Sequence, residues 1–99
     1  MPQAKDFSEG DFLKMARKFS AMSEPMRLRI IRTLMDGEKS AGQIAEAVLG
    51  TQANVSRHLQ KLKDAHILDS RKDGQFVIYF ICDKSINKLC KIICDSPQP

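Results

Sequence analysis

From Gly50 through Lys63 the chain carries Thr51, Gln52, Asn54, Ser56, Arg57, Gln60 and Lys61, without one Asp or Glu. These are base-reading and phosphate-binding side chains. Arg pairs with a guanine edge through two bonds, Asn or Gln does the same with adenine, and Ser bonds a phosphate or a base edge. Projected on a helix, Ala53, Asn54, Ser56, Arg57, Gln60 and Lys61 fall opposite the apolar stripe Val55, Leu59, Leu62. An ordinary exposed helix mixes signs for i, i+4 pairing, so an acid-free outer face points to a polyanion more than to a merely solvated surface. Arg71 and Lys72, just before Asp73-Gly74, and Lys39 and Ser40, at a helix start, are further candidates for phosphate contact.

Cys82, Cys90 and Cys94 are the second set with chemistry in it. An odd number of thiols with no export signal argues against a disulfide framework. Cys90 and Cys94 stand one helical turn apart and can offer two thiolates to a soft ion such as trivalent arsenic. Cys82 lies eight residues before Cys90, a gap of about 12 Å along a continuous helix, so its inclusion requires an unwound turn or another subunit. Cys90 and Cys94 also share the apolar stripe of Ile86, Leu89 and Ile93, where free cysteine packs well. Packing, metalloid or soft-metal ligation, and thiol oxidation or persulfide sensing all stand open.

These residues must be positioned by local elements, and the pattern names them. Phe12, Met15, Ala16, Phe19 and Met22 predict a first amphipathic helix over about residues 9–21, with Lys14, Arg17 and Lys18 on its polar face. Ser23-Glu24-Pro25 starts a second, burying Ile30, Ile31, Leu34 and Met35 before Asp36-Gly37 stops it. Ser40 and Gln43 have capping-box spacing for a third, over about 41–48, ended by Gly50. Thr51 caps a fourth, to about Ala65. Two strands, Ile67 to Lys72 and Gln75 to Cys82, then flank an Asp73-Gly74 turn. A last helix runs from about Lys84 to Cys94, with Asp83 as its cap. The domain is expected over 9–95, with flexible segments 1–8 and 96–99.

Ninety-nine residues leave room for one domain with a thin core, so a partner subunit is worth expecting. The net charge of +4 comes from the middle of the chain, because acids and bases cancel over residues 1–24 and 73–99. No apolar run approaches the roughly 18 residues of a membrane span, and no signal peptide is evident, so a cytoplasmic protein with no membrane partner is expected. A Ser/His/Asp set, a carboxylate pair, a phosphate-cradling glycine loop and a CxxC pair are all missing, which argues against an enzyme.

Four helices, a hairpin and a helix (α-α-α-α-β-β-α) describe a mainly α winged helix-turn-helix. In it the second helix of the tandem pair enters the major groove of double-stranded DNA. Met22-Ser-Glu-Pro-Met-Arg-Leu-Arg-Ile-Ile-Arg-Thr-Leu34, Ser40-Ala-Gly-Gln-Ile-Ala45, Thr51-Gln-Ala-Asn-Val-Ser-Arg-His-Leu-Gln-Lys-Leu62 and Val77-Ile-Tyr-Phe80 resemble the ArsR/SmtB family of bacterial winged-helix repressors over about residues 8–95. The resemblance implies a homodimer through the first and last helices, bound to an inverted-repeat operator on nucleoid DNA and released by an inducer. It also implies DNA contacts at Gln52, Asn54, Ser56, Arg57 and His58; the helical projection finds Asn54, Ser56 and Arg57 independently.

Phe7, Phe12, Phe19, Leu89, Ile92 and Ile93 are the expected seam of that dimer. The family's cysteine-rich metal box is replaced by Glu38-Lys-Ser-Ala-Gly-Gln-Ile44, and residues 84–95 contain no His, so neither of the family's two usual metal sites is expected. His66 reads as a helix-end residue. A soft ion at the cysteines therefore remains the one cofactor or inducer site to consider. A winged-helix module that docks an acidic protein is the competing reading.

Overall fold

Ser40 and Gln43 form the capping box that their spacing predicts: Gln43 N donates to Ser40 Oγ at 3.2 Å, and Ser40 N to Gln43 Oε1 at 2.9 Å. The computed structural model describes residues 6–95. In it the helices are α1 (Glu9–Met22), α2 (Pro25–Met35), α3 (Ala41–Val48), α4 (Gln52–Asp64) and α5 (Lys84–Asp95), and the strands are β1 (Lys39–Ser40), β2 (Leu68–Asp73) and β3 (Phe76–Ile81). Thr51 caps α4 by accepting from Asn54 N, and Pro25 occupies the first turn of α2 behind a Glu24 cap. Ser8, assigned from sequence to the N-terminal segment, caps α1 in a second capping box with Asp11. Of the other terminal positions assigned as flexible, Asp6 and Phe7 are exposed and outside any helix or strand, and 1–5 and 96–99 lie outside the described residues.

The core is one apolar cluster in which Ile30, Ile31, Ile44, Val55, Leu59, Leu62, Ile67 and Leu68 are fully buried. Helical periodicity named most of these, because a helix packed on one side buries one stripe. Met35 and Val48 are only half-buried at its margin.

Three local expectations shift. Helix α3 ends not on Gly50 but on Leu49, which takes the left-handed conformation at φ 57° and is almost fully exposed. Gly50 stands in a tight place instead: a Cβ there would lie 3.0 Å from Val55 Cγ2, which would have to give by a few tenths of an ångström. The hairpin pairs Asp73 with Phe76, so its two-residue turn is Gly74-Gln75 rather than Asp73-Gly74. Only the first of those turn residues has positive φ, at 64°, as a type II′ turn requires. Finally, β1 pairs antiparallel with β3 and makes a three-stranded sheet of order β1-β3-β2. Two residues are too few to show a strand period in sequence; only the tertiary pairing reveals them.

The terminal helices are amphipathic but incompletely covered. On α1 only Ala21 and Met22 are buried, while Phe12, Leu13 and Phe19 remain 50%, 55% and 58% exposed. On α5 only Ile86 is buried; Ile92 and Ile93 are 67% and 61% exposed, and Leu89 packs against the core edge.

Candidate nucleic-acid interface

Helix α4 is fixed by Val55, Leu59 and Leu62 beneath it and presents Gln52, Ala53, Ser56, Arg57, Gln60 and Lys61 outward. Asn54 is half-buried at the edge of this face, and its Oδ1 accepts a bond from the Arg57 guanidinium. Gln60 Nε2 donates to Asp64 Oδ1 at 2.8 Å. Thr51 Oγ1 is committed to its cap, 3.2 Å from Asn54 N.

His58 is placed differently from its neighbours. Its side chain is 14% exposed and turns toward α2, where Nδ1 accepts from Arg27 Nε at 3.2 Å. Nε2 faces Glu24 Oε2 at 3.5 Å. Arg27 also donates to the Ala21 carbonyl at 3.3 Å, and Glu24 Oε1 accepts from Met26 N. Glu24, Arg27 and His58 therefore form a strut between the start of α2 and the middle of α4, and His58 is not on the outward face.

The flanking basic residues are partly committed as well. Lys39 Nζ donates to the Thr33 and Gly37 carbonyls at 3.3 and 3.4 Å, closing the end of α2. Ser40 spends its hydroxyl and N–H on the capping box. Arg71 bonds Glu38 Oε1 at 2.7 Å and lies 5.9 Å from the Phe80 ring centroid. Glu38 holds that guanidinium more firmly in its charged form, chiefly through the hydrogen bond. Sequence gave no sign of this pair, because its members are 33 residues apart and meet only through the sheet. Lys72 is exposed on the wing, and Lys63 Nζ ties α4 to β2 through Ser70 Oγ at 2.8 Å.

The three cysteines separate. Cys90 and Cys94 line a groove of about 570 Å³ with Met22, Leu28, Arg32, Met35 and Ile93. Cys82 lines a different one with Lys14, Arg17, His66 and Lys84, and its thiol donates to the His66 carbonyl at 3.4 Å. Burial, and secondarily the neighbouring Cys94, pushes the Cys90 thiol above its ordinary pKa, which keeps it protonated near neutrality. Among the described residues no three His, Cys, Asp or Glu side chains are grouped to hold a metal ion. A single site built from Cys82, Cys90 and Cys94 of one chain is thus not formed.

His66 does end α4 as expected, but in the left-handed conformation at φ 59°. Lys18, expected on a solvated face, instead turns inward to this corner. Among the described residues no helix is long and apolar enough to cross a membrane.

A tandem helix pair packed on a three-stranded wing, with an outward face on the second helix that carries no acid from Gln52 to Lys63, defines a winged helix-turn-helix DNA-binding protein. A family model described as "Helix-turn-helix domain" matches residues 22–71. The transcriptional repressor SdpR of Bacillus subtilis is 38% identical over 61 residues, covering 62% of this chain and 68% of its own. A cadmium resistance transcriptional regulatory protein, the CadC homolog of Staphylococcus aureus, is 30% identical over 86 residues, covering 86% and 71%. The homodimeric winged helix-turn-helix domain of Mb0332 from Mycobacterium bovis, a possible ArsR-family regulator, superposes with a TM-score of 0.82 at 26% identity, over 96% of this chain and 91% of that one. The chain belongs to the ArsR/SmtB family of transcriptional regulators, which are not enzymes.

Proposed function

We propose that this protein is a homodimeric repressor that reads an inverted-repeat operator with α4. The outward face of that helix, free of acids from Gln52 to Lys63, carries the reading. Gln52, Asn54, Ser56, Arg57, Gln60 and Lys61 are assigned to base edges and phosphates, and Lys72 to the backbone beside the wing. Arg71 joins it with the guanidinium protons not used by Glu38. Thr51 and His58 act by holding α4, and Lys39 and Ser40 by holding the start of α3. The functional unit spans residues 9–95 and acts in the cytoplasm on nucleoid DNA.

The seam is assigned to Phe7, Phe12, Phe19, Leu89, Ile92 and Ile93, joined by Leu13, which is equally exposed. Phe7 and Phe12 already lie together, with ring centroids 6.0 Å apart. A two-fold dimer sets two α4 helices about one DNA turn apart and so demands a palindromic site. The homodimeric state of the Mycobacterium bovis neighbour supports this reading.

The inducer is assigned to Cys90 and Cys94, which share one groove between α5 and α2. A soft metal or metalloid such as As(III) would meet two thiols there, and a thiol oxidant would meet the same pair; the cadmium-resistance relative supports the metal branch. The test is a fluorescence-anisotropy titration of the duplex upstream of the protein's own gene, run at several KCl concentrations and repeated with As(III), Cd(II) and peroxide. Expected are a linear fall of log affinity with log salt, release by one of these agents, and loss of release in Cys90→Ser/Cys94→Ser. Salt-independent binding, or binding that duplex DNA does not compete, would replace the DNA reading by protein docking.

A further inference from the structure

Lys18 belongs to α1, yet its ammonium joins two other parts of the chain. It donates to the Ala65 carbonyl at 3.2 Å and the His66 carbonyl at 3.1 Å, and lies 2.8 Å from Asp83 Oδ2. An ammonium has three protons, so its capacity is filled. The carbonyls end α4; Asp83 begins α5, where its Oδ1 accepts from Ser85 N at 3.1 Å. Lys18 and Asp83 side chains are only 16% and 22% exposed, which limits competition from water. Only Ala21 and Met22, at its end, are fully buried along α1, and Met15 is half-buried, so this polar node adds to a sparse apolar attachment in fixing α1 against α4.

We propose that Lys18 is a positioning residue that locks the reader helix to the two seam helices and thereby sets the half-site spacing the dimer accepts. The inference rests on the dimeric, DNA-reading function proposed above. Its leverage follows from length. Helix α4 has 13 residues, about 20 Å at 1.5 Å each, so a tilt of about 10° at its C-terminal end moves its N-terminus by about one base-pair rise. Each protomer contributes that error to a palindromic complex, while a single half-site is indifferent to it.

The test compares wild type, Lys18→Met, Lys18→Arg and Lys18→Met/Asp83→Asn. The double variant removes the carboxylate that Lys18→Met alone would leave uncompensated, and so carries the test if the single variant unfolds. Circular dichroism checks folding and sedimentation checks dimerisation. Anisotropy is then read on one half-site and on palindromes whose separation is stepped one base pair at a time around the spacing that wild type selects from a random duplex library.

The double variant is expected to keep dimer and half-site affinities within threefold. On the wild-type spacing it loses at least tenfold, and its discrimination between adjacent spacings flattens to under threefold. Lys18→Arg retains the preference. An equal loss on half-site and palindrome, or an unchanged spacing profile, overturns the inference alone. A wild-type chain that neither dimerises nor prefers a palindrome overturns the functional reading and the inference together.

Discussion

Replacing Phe19 by Ala isolates the contribution of the terminal helices to self-association. Phe19 is 58% exposed in the single chain, so more than half of its apolar surface is available to a partner. Full burial of such a side chain is worth about 1.5–3 kcal/mol, and the exposed fraction therefore about 0.9–1.7 kcal/mol. A two-fold interface uses the same residue twice, which doubles the loss to about 1.8–3.4 kcal/mol, or about 20- to 300-fold in the dimer dissociation constant. Sedimentation equilibrium across a concentration series measures that constant. Thermal unfolding of the dilute monomer should change little, because Phe19 lies outside the buried core. An unchanged dimer constant would refute the seam, and a large fall in monomer stability would show that Phe19 belongs to the chain's own core.

Gly50→Ala places a methyl group 3.0 Å from Val55 Cγ2, beneath the first turns of α4. Overpacking of this kind costs about 1–3 kcal/mol, expected as a fall in Tm of about 4–24 °C by calorimetry; a Tm within about 2 °C of wild type would show that the turn yields freely. Glu38→Gln releases Arg71 and removes an acid beside the wing, so operator affinity should rise about two- to fivefold with a salt slope steeper by about one. An unchanged slope in anisotropy titrations would show that Glu38 does not restrain the phosphate contact of Arg71. Lys18 and Ser85 hold the Asp83 carboxyl below its ordinary pKa. A depressed folded-state pKa adds stability above the unfolded value and loses it as pH falls through the folded one. Asp83→Asn should therefore be less stable than wild type at pH 6, and the gap should close below about pH 4, which urea titrations at the two pH values will show. A gap that persists in acid would mean that the ion pair is not its source.

The polar face of α4, free of acids up to Lys63, and its buried stripe were legible because both are properties of one helix, and helical geometry alone relates residues three and four apart. The same holds for the caps at Ser40 and Thr51, whose bonds span three residues. His58 shows the limit. Its place in the motif implied a DNA contact, yet Arg27, 31 residues away, turns it inward. The wing turn moved by one residue because pairing across the strands, rather than the Asp-Gly dipeptide, sets the register.

Taken by itself, the sequence determined the five helices and the two strands of the hairpin, which face of the fourth helix is polar and basic, and the family to which the chain belongs, since periodicity, caps and motifs are local. Tertiary structure alone decided that Cys82 parts from Cys90 and Cys94, that Glu38 restrains Arg71, and that Lys18 turns inward to the junction of α4 and α5. Those outcomes depend on contacts between residues up to 65 apart, whose energies belong to the packed fold and leave no period in the chain.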